Sequence, residues 1–333
     1  MPVAPNSYSV ALRNGDVVYG AVRGAAVEDL PASLVNHCHF EVVQLEQGSS
    51  CCDFDFVAGS QAVVCRKRIS CPLHLRGVMT GGWIGLALVH DGGDAEAGHP
   101  ARDDLLYLAP PDTPFDWFLR GGQSMLFVMT NEGALMELAR EAHAEEAIRT
   151  FAVSGQSLPT LRADSVAIKD ARGALFDLVD GAKRGELQHT GAQLGRSVRE
   201  AMIMLLDQAG ESAGRGSAEI LVRRAREIVG DTPRRFSVSD LSGKLRVSPR
   251  TLHKAFFDIT GVGPHAYFLR QRLNAARRLL VAADGQQASV TNIALELGFT
   301  ELGRFAGRYR SFFGENPSQT LQRPRRRIEA VPV

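Results

Sequence analysis

The sequence predicts an α+β multidomain chain: a β-rich N-terminal half, a helical hairpin, and an all-α C-terminal domain built on a repeated two-helix unit. Three observations carry this. Short apolar runs broken by Gly, Pro and Asp fill residues 1 to about 130, the pattern beyond Ser217 is wholly helical, and the two halves carry opposite charge. The 333 residues, 44% hydrophobic and 23% charged, lie in the ordinary globular range and are enough for two or three domains with cores of their own. A disordered chain and a single small module are thereby excluded. No stretch approaches the roughly 18 consecutive apolar residues that span a bilayer, and MPVAPNSYSV lacks the basic-then-apolar layout of a secretory signal. A cytoplasmic protein without membrane association is expected. Cys38, Cys51, Cys52, Cys65 and Cys71 form an odd set with no CxxC pair, which predicts free thiols in a reducing compartment.

The elements follow in order. Phe54–Val57, Ala62–Arg68, Trp83–Val89, Leu105–Leu108 and Ser124–Met129 read as short strands between turns, which predicts a barrel or sandwich. A helix is expected over Gly133–Ala147, and two more over Asp164–Ala182 and Thr190–Ala209. In the last, Leu194, Val198, Ala201, Met202 and Leu205 recur at intervals of three and four, which makes one apolar stripe. The partner helix offers Leu175, Phe176, Leu178 and Val179, so the pair forms a hairpin that covers the barrel or meets a second copy. The resulting division is a β-rich domain over 1–150, the hairpin over 151–211, a linker over 212–218, and the helical domain over 219–323.

Cutting the chain at the linker exposes the charge asymmetry. From Glu219 onward there are 20 Lys and Arg against 10 Asp and Glu, a net +10, which leaves 18 against 27 upstream, a net −9. A basic third of this kind concentrates polyanions and is the electrostatic footprint of nucleic-acid binding.

Within that basic third the chain repeats itself. SVSDLSGKLRVSPRTLHKAFFDITGVGP starts at Ser237 and SVTNIALELGFTELGRFAGRYRSFFGENP at Ser289. Val238, Leu241, Leu245, Val247 and Ser248 match Val290, Ile293, Leu297, Phe299 and Thr300 at a separation of 52 residues. After one inserted residue, Leu252, Phe256, Gly261 and Pro264 match Phe305, Tyr309, Gly314 and Pro317. Each copy is a short helix, a tight turn and a second helix opened by a hydroxyl residue, Ser248 or Thr300, suited to cap the free N–H groups of the first turn. Pro249 then occupies the first helical position, where its missing N–H costs nothing. Two short helices with an apolar seam and a polar, basic outer face on the second are the sequence form of a helix-turn-helix. A helix around Tyr267–Val281 joins the two copies.

The stretches SPRTLHKAFFDITGVGPHAYFLRQRLNAARRLL and SVTNIALELGFTELGRFAGRYRSFFGENPSQTLQR resemble the AraC/XylS family of bacterial transcription regulators over about the last 105 residues. The resemblance implies a tandem helix-turn-helix domain with one recognition helix per unit in successive major grooves. It also implies a cupin-like β-barrel in the N-terminal half that binds a small effector or dimerises. The implied function is a sequence-specific transcriptional regulator, taken as an activator and not an enzyme, with double-stranded promoter DNA, RNA polymerase and a small-molecule effector as partners and a homodimer as its assembly. No cofactor or metal ligand is assigned.

Mapped onto this chain, the first recognition helix runs from Ser248 to about Ile259 and presents Arg250, Thr251, His253 and Lys254. Arg250 is the candidate base reader, because a guanidinium donates two hydrogen bonds to guanine O6 and N7, worth about 1 to 3 kcal/mol of discrimination. Lys254 is as well suited to a phosphate. The second recognition helix presents Thr300, Glu301, Arg304 and Arg308. Leu302 and Gly303 depart from the family's polar pattern there, and Gly307 stands where many members have Arg. Two helical glycines cost about 1 kcal/mol each, so this helix is expected to read fewer bases or to grip mainly the backbone.

Candidate effector residues lie in the β-rich half. Arg66 and Arg68 alternate with Cys65, Lys67 and Ile69, so on a strand both guanidiniums project to one face. His74 and Arg76 share that parity if the strand resumes after Pro72. Paired Arg side chains suit phosphate or a planar base, which points to an anionic effector, with a nucleotide such as cyclic di-GMP as the leading example; a solvent-facing basic strand is the alternative. The competing class is a metal- or thiol-dependent cupin enzyme carrying a DNA-binding appendage. His37, His39 and Glu41 fall on one strand face, but the carboxylate is too close for the metal motif of enzymatic cupins. A constitutive DNA binder without effector is the third possibility.

Overall fold

A computed structural model of the chain describes residues 17–26, 37–48, 51–91, 104–146, 148, 160–161, 166–207, 217–230, 237–283, 289–323 and 330–332. The strands are β1 (Val18–Ala26), β2 (Cys38–Gln44), β3 (Cys51–Ala58), β4 (Ala62–Ile69), β5 (Leu73–Met79), β6 (Trp83–Asp91), β7 (Asp104–Ala109), β8 (Pro114–Leu119), β9 (Gln123–Asn131), β10 (Thr160–Leu161) and β11 (Ala330–Pro332). They form two sheets, one in the order β10-β7-β6-β9-β4-β3-β1-β11 and one in the order β2-β5-β8. Neighbouring strands are antiparallel throughout.

The expected cupin-like barrel is therefore not closed. Its two sheets stay separate, because β4 and β5, consecutive in sequence, part at Ser70, Cys71 and Pro72 and enter different sheets. A proline has no N–H with which to continue a ladder. The carbonyl of Pro72 instead accepts from the Leu45 N–H at 2.9 Å, beside the small sheet.

Period-two alternation assigns the side chains. Val63, Cys65 and Ile69 of β4 point into a core shared by the two sheets, with Phe54, Phe56 and Met129 from the large one and Leu73, Leu75 and Trp117 from the small one. Ala62 and Val64 point the other way, onto helices α2 (Val166–Lys183) and α3 (Gly191–Asp207). Leu175, Leu178 and Val179 of α2 and Leu194, Val198, Met202 and Leu205 of α3 meet Leu86, Leu126 and Val128 of the sheet. Of the two uses expected for the hairpin, it covers the large sheet. Helix α1 (Glu132–Glu141) precedes it and is shorter than the pattern suggested, with Asn131 accepting from the Ala134 N–H at its start.

The C-terminal helices are α4 (Ser217–Val229), α5 (Val238–Leu245), α6 (Pro249–Thr260), α7 (Pro264–Ala282), α8 (Val290–Glu296), α9 (Leu302–Phe313) and α10 (Pro317–Gln322). The repeat becomes two small cores. Leu241, Leu252 and Phe256 pack with Tyr267 and Phe268 in one, and Ile293, Phe305 and Tyr309 pack with Leu273, Ala276 and Leu280 in the other. Helix α7 serves both, its first half in the first core and its second half in the second. Gly261 and Gly314, at matching repeat positions, take φ of 72° and 78° and end α6 and α9, a left-handed turn that other residues adopt only at a cost.

The outer face of the small sheet meets the helical domain. Val43 and Leu45 join the first helical core. Asn274 of α7 accepts from the Gln44 N–H at 3.0 Å and donates to the Gln44 carbonyl at 3.1 Å, so its side-chain amide acts as a strand partner for the edge strand β2. Deeper in the seam the Tyr267 hydroxyl donates to His74 Nδ1 at 3.0 Å, and His74 Nε2 donates to Asp116 at 2.7 Å. Arg226 of α4 closes on the other oxygen of Asp116. Burial pushes His74 down to about 4 against the pull of Asp116, so the ring is neutral at pH 7. Burial alone would raise Asp116, but the His74 hydrogen bond and the Arg226 charge hold it well below the carboxylate range.

Candidate nucleic-acid interface

Helix α6 starts as its sequence dictates. The Ser248 hydroxyl accepts from the Thr251 N–H at 3.1 Å, its oxygen lies 2.8 Å from the Thr251 hydroxyl, and Pro249 follows at the first position. Burying Leu252, Ala255 and Phe256 leaves Arg250, Thr251, His253 and Lys254 on the exposed side. Lys254 is 2.6 Å from Asp258 one turn on, an exposed pair that a phosphate can displace at little cost. The His253 ring leans over the turn into α7, where a Cβ on Gly263 would stand 2.9 Å from it.

Helix α9 starts differently. The expected cap at Thr300 is replaced: the helix opens at Leu302 with Glu301 in the cap position and no side-chain cap hydrogen bond. The inserted residue that breaks the repeat register shifts the helix start by one. Glu301 holds Arg304 at 3.0 Å, which neutralises part of that cation, while Arg308 is exposed beyond it. Gly303 and Gly307 are also exposed, with nothing within 4 Å of where a Cβ would stand. Arg310, not among the expected recognition residues, is exposed in the last turn. At the repeat offset of 53 residues, the one that pairs Phe256 with Tyr309, it corresponds to Phe257.

Two separately cored units, the first opened by a side-chain cap and the second not, thus present cationic helix faces. Residues 241–323 match the family described as Helix-turn-helix domain. The XylDLEGF operon transcriptional activator of Pseudomonas putida is 36% identical over 117 residues, 35% of this chain and 36% of that protein. XylDLEGF operon transcriptional activator 2 of the same organism is 41% identical over 88 residues, 26% of this chain and 56% of that protein. The solved structure of a probable AraC family transcriptional regulator from Rhodopseudomonas palustris is 39% identical, with a TM-score of 0.28, and covers 32% of this chain and 99% of that one. The helical third belongs to the AraC/XylS family. The chain spans only about a third of the length of the first of these relatives.

Outside the AraC-type domain, the four candidate effector residues do not converge. Arg66 lies on the helix-covered face of β4, 2.9 Å from Asp180 of α2 and 3.6 Å from Asp55, with its guanidinium 5.5 Å from the Phe176 ring centroid. Arg68 is exposed on the same face, across from Asp53 of β3. His74 and Arg76 belong to the other sheet: His74 is buried in the seam against the AraC-type domain, and Arg76 pairs with Glu41, which also meets Arg278 of α7. The shared parity does not carry from Arg68 to His74, because the chain changes sheets at Pro72.

The residues behind the enzyme alternative do not assemble into a site. His37 stacks on Trp83 at 4.3 Å and burial lowers its pKa; His39 is exposed; Glu41 is held by the two arginines. Among the described residues no group of three His, Cys, Asp or Glu side chains is placed to hold a metal. Cys38, Cys52, Cys65 and Cys71 are free and buried, while the Cys51 side chain lies outside the described residues. Burial pushes the Cys38 and Cys52 thiols up to about 12 and Cys65 to about 11, the opposite of what a nucleophilic thiolate requires. No described helix is long and apolar enough to cross a membrane.

Proposed function

We propose that the chain is a promoter-binding transcriptional activator that lays α6 and α9 into successive major grooves of duplex DNA. The observation that carries this is the pairing of two helix-turn-helix units whose second helices expose Arg250 and Lys254 in one and Arg304 and Arg308 in the other. In this reading Arg250 addresses base edges, while Lys254, Ser248, Thr251, His253, Thr300, Glu301, Arg304 and Arg308 position the protein on the backbone and flanking bases. RNA polymerase and a second copy of the chain complete the assembly at the promoter.

A small effector acting on the β-rich half is part of the same proposal, supported by the direct packing of the small sheet on the AraC-type domain. A cyclic dinucleotide gripped by Arg66 and Arg68 has no support, since Arg66 is already held by two carboxylates. The test is a gel-shift and footprinting series with the full chain. The expected result is protection of two consecutive major grooves and an affinity that falls steeply with salt, as displaced counterions require. Binding of no duplex at low ionic strength would overturn the reading.

A further inference from the structure

Phe257 lies on α6 and is 65% exposed. One exposed apolar residue is ordinary on a protein surface. Its position is less so. Seven residues are nearly two helical turns, so Phe257 stands about 20° round the helix from Arg250 and about 10 Å further along the axis. Arg250, Lys254 and Phe257 therefore share one stripe, opposite the buried stripe of Leu252 and Phe256. The other copy of the unit corroborates the direction of that stripe. At the repeat offset of 53 residues Phe257 corresponds to Arg310, which is also exposed, so one position carries a cation in α9 and a phenyl ring in α6. A cation there suits a phosphate. A ring there suits an apolar feature of the same ligand, and on a duplex the apolar feature of the major groove is the thymine C5-methyl group.

We propose that Phe257 is a specificity-determining residue whose ring rests on a thymine methyl in the major groove, about three base-pair steps from the base addressed by Arg250. This rests on the proposed placement of α6 in the groove and adds a second, apolar element to its code. Arg250 selects a guanine by hydrogen bonds, and Phe257 selects a thymine by contact. Phe257 is exposed and is a member of neither buried helical core, so the core packing does not depend on its ring.

The experiment uses the full chain and the tightest duplex it selects from a randomised library. Each thymine of that duplex is replaced singly by deoxyuridine, which deletes one methyl and leaves every hydrogen-bonding edge intact. For wild type, affinity falls about fourfold at one or two positions on the Arg250 side of the site, the transfer cost of one buried methyl group. Phe257→Ala binds the parent duplex more weakly and no longer distinguishes thymine from uracil there, while Phe257→Leu keeps part of the discrimination. Identical uracil penalties in wild type and Phe257→Ala overturn the proposal. So does unchanged DNA binding by Phe257→Ala with loss of promoter activation, which would assign the ring to a protein partner. If wild type selects no duplex at all, the placement of α6 in DNA falls first, and the two failures are distinguishable.

Discussion

Acidification should loosen this protein through His74 before it touches the carboxylates. The imidazole is 1% exposed, donates to Asp116 and accepts from Tyr267, an arrangement available only to the neutral ring. Its pKa is near 4 in the folded chain against 6.5 for the free side chain. As pH falls below 6.5 the unfolded chain takes up a proton that the folded chain refuses until about 4. Stability is therefore fully present above 6.5 and is lost through that window. At pH 5 the loss is about 2 kcal/mol, approaching about 3 at the bottom of the window. The depressed carboxylates Asp116, Asp55 and Glu315 give up their contribution only as pH falls through their ordinary values and below, so they add little at pH 5. The assay is urea unfolding of the full chain at pH 7 and pH 5, beside His74→Gln, which cannot titrate. Wild type should lose about 2 kcal/mol more than the variant between the two conditions. Equal losses would refute the assignment of the buried, neutral imidazole.

Other substitutions probe the reading and the scaffold. Arg250→Ala should change preference at one base pair, whereas Lys254→Ala should weaken all selected sites about evenly and lower the salt slope by about one, as read in gel shifts across a site library. Ser248→Ala removes the cap of α6 and should lower stability by about 1 kcal/mol in thermal unfolding. Asn274→Ala leaves the buried N–H and carbonyl of Gln44 without their side-chain partner, an expected loss of about 2 kcal/mol or more, accompanied by faster proteolysis between the two halves. Gly77→Ala would place a Cβ 2.3 Å from the His39 carbonyl oxygen on the neighbouring strand and should reduce the yield of folded protein sharply, since backbone rather than a side-chain tip must move.

The tail was legible because its signals are local. Apolar residues four apart, a hydroxyl before Pro249 and a glycine at each helix end specify a two-helix unit within some 25 residues, and the chain writes that unit twice. Thr300 shows the limit: one inserted residue moved the start of α9 to Leu302, and a pattern match does not record which N–H groups are left free. In the β-rich half, single strands such as β4 and β9 could be seen, but their partners are distant in sequence. Nothing near Pro72 announces that β5 leaves the sheet of β4, so parity alone groups His74 and Arg76 with Arg66 and Arg68 although they lie in another layer. The Arg66 contact to Asp180 spans 114 residues and the His74 contact to Tyr267 spans 193, and neither has a signature in composition or spacing.

Helix α7 works as a common axle. Tyr267 and Phe268 key it into the first reader and Leu273, Ala276 and Leu280 into the second, while Asn274, between them, is bolted to the rim strand of the small sheet. A rotation imposed on that rim turns one rod to which both helix-turn-helix units are fastened, so under the proposed placement in DNA the two would engage or release in step rather than one at a time.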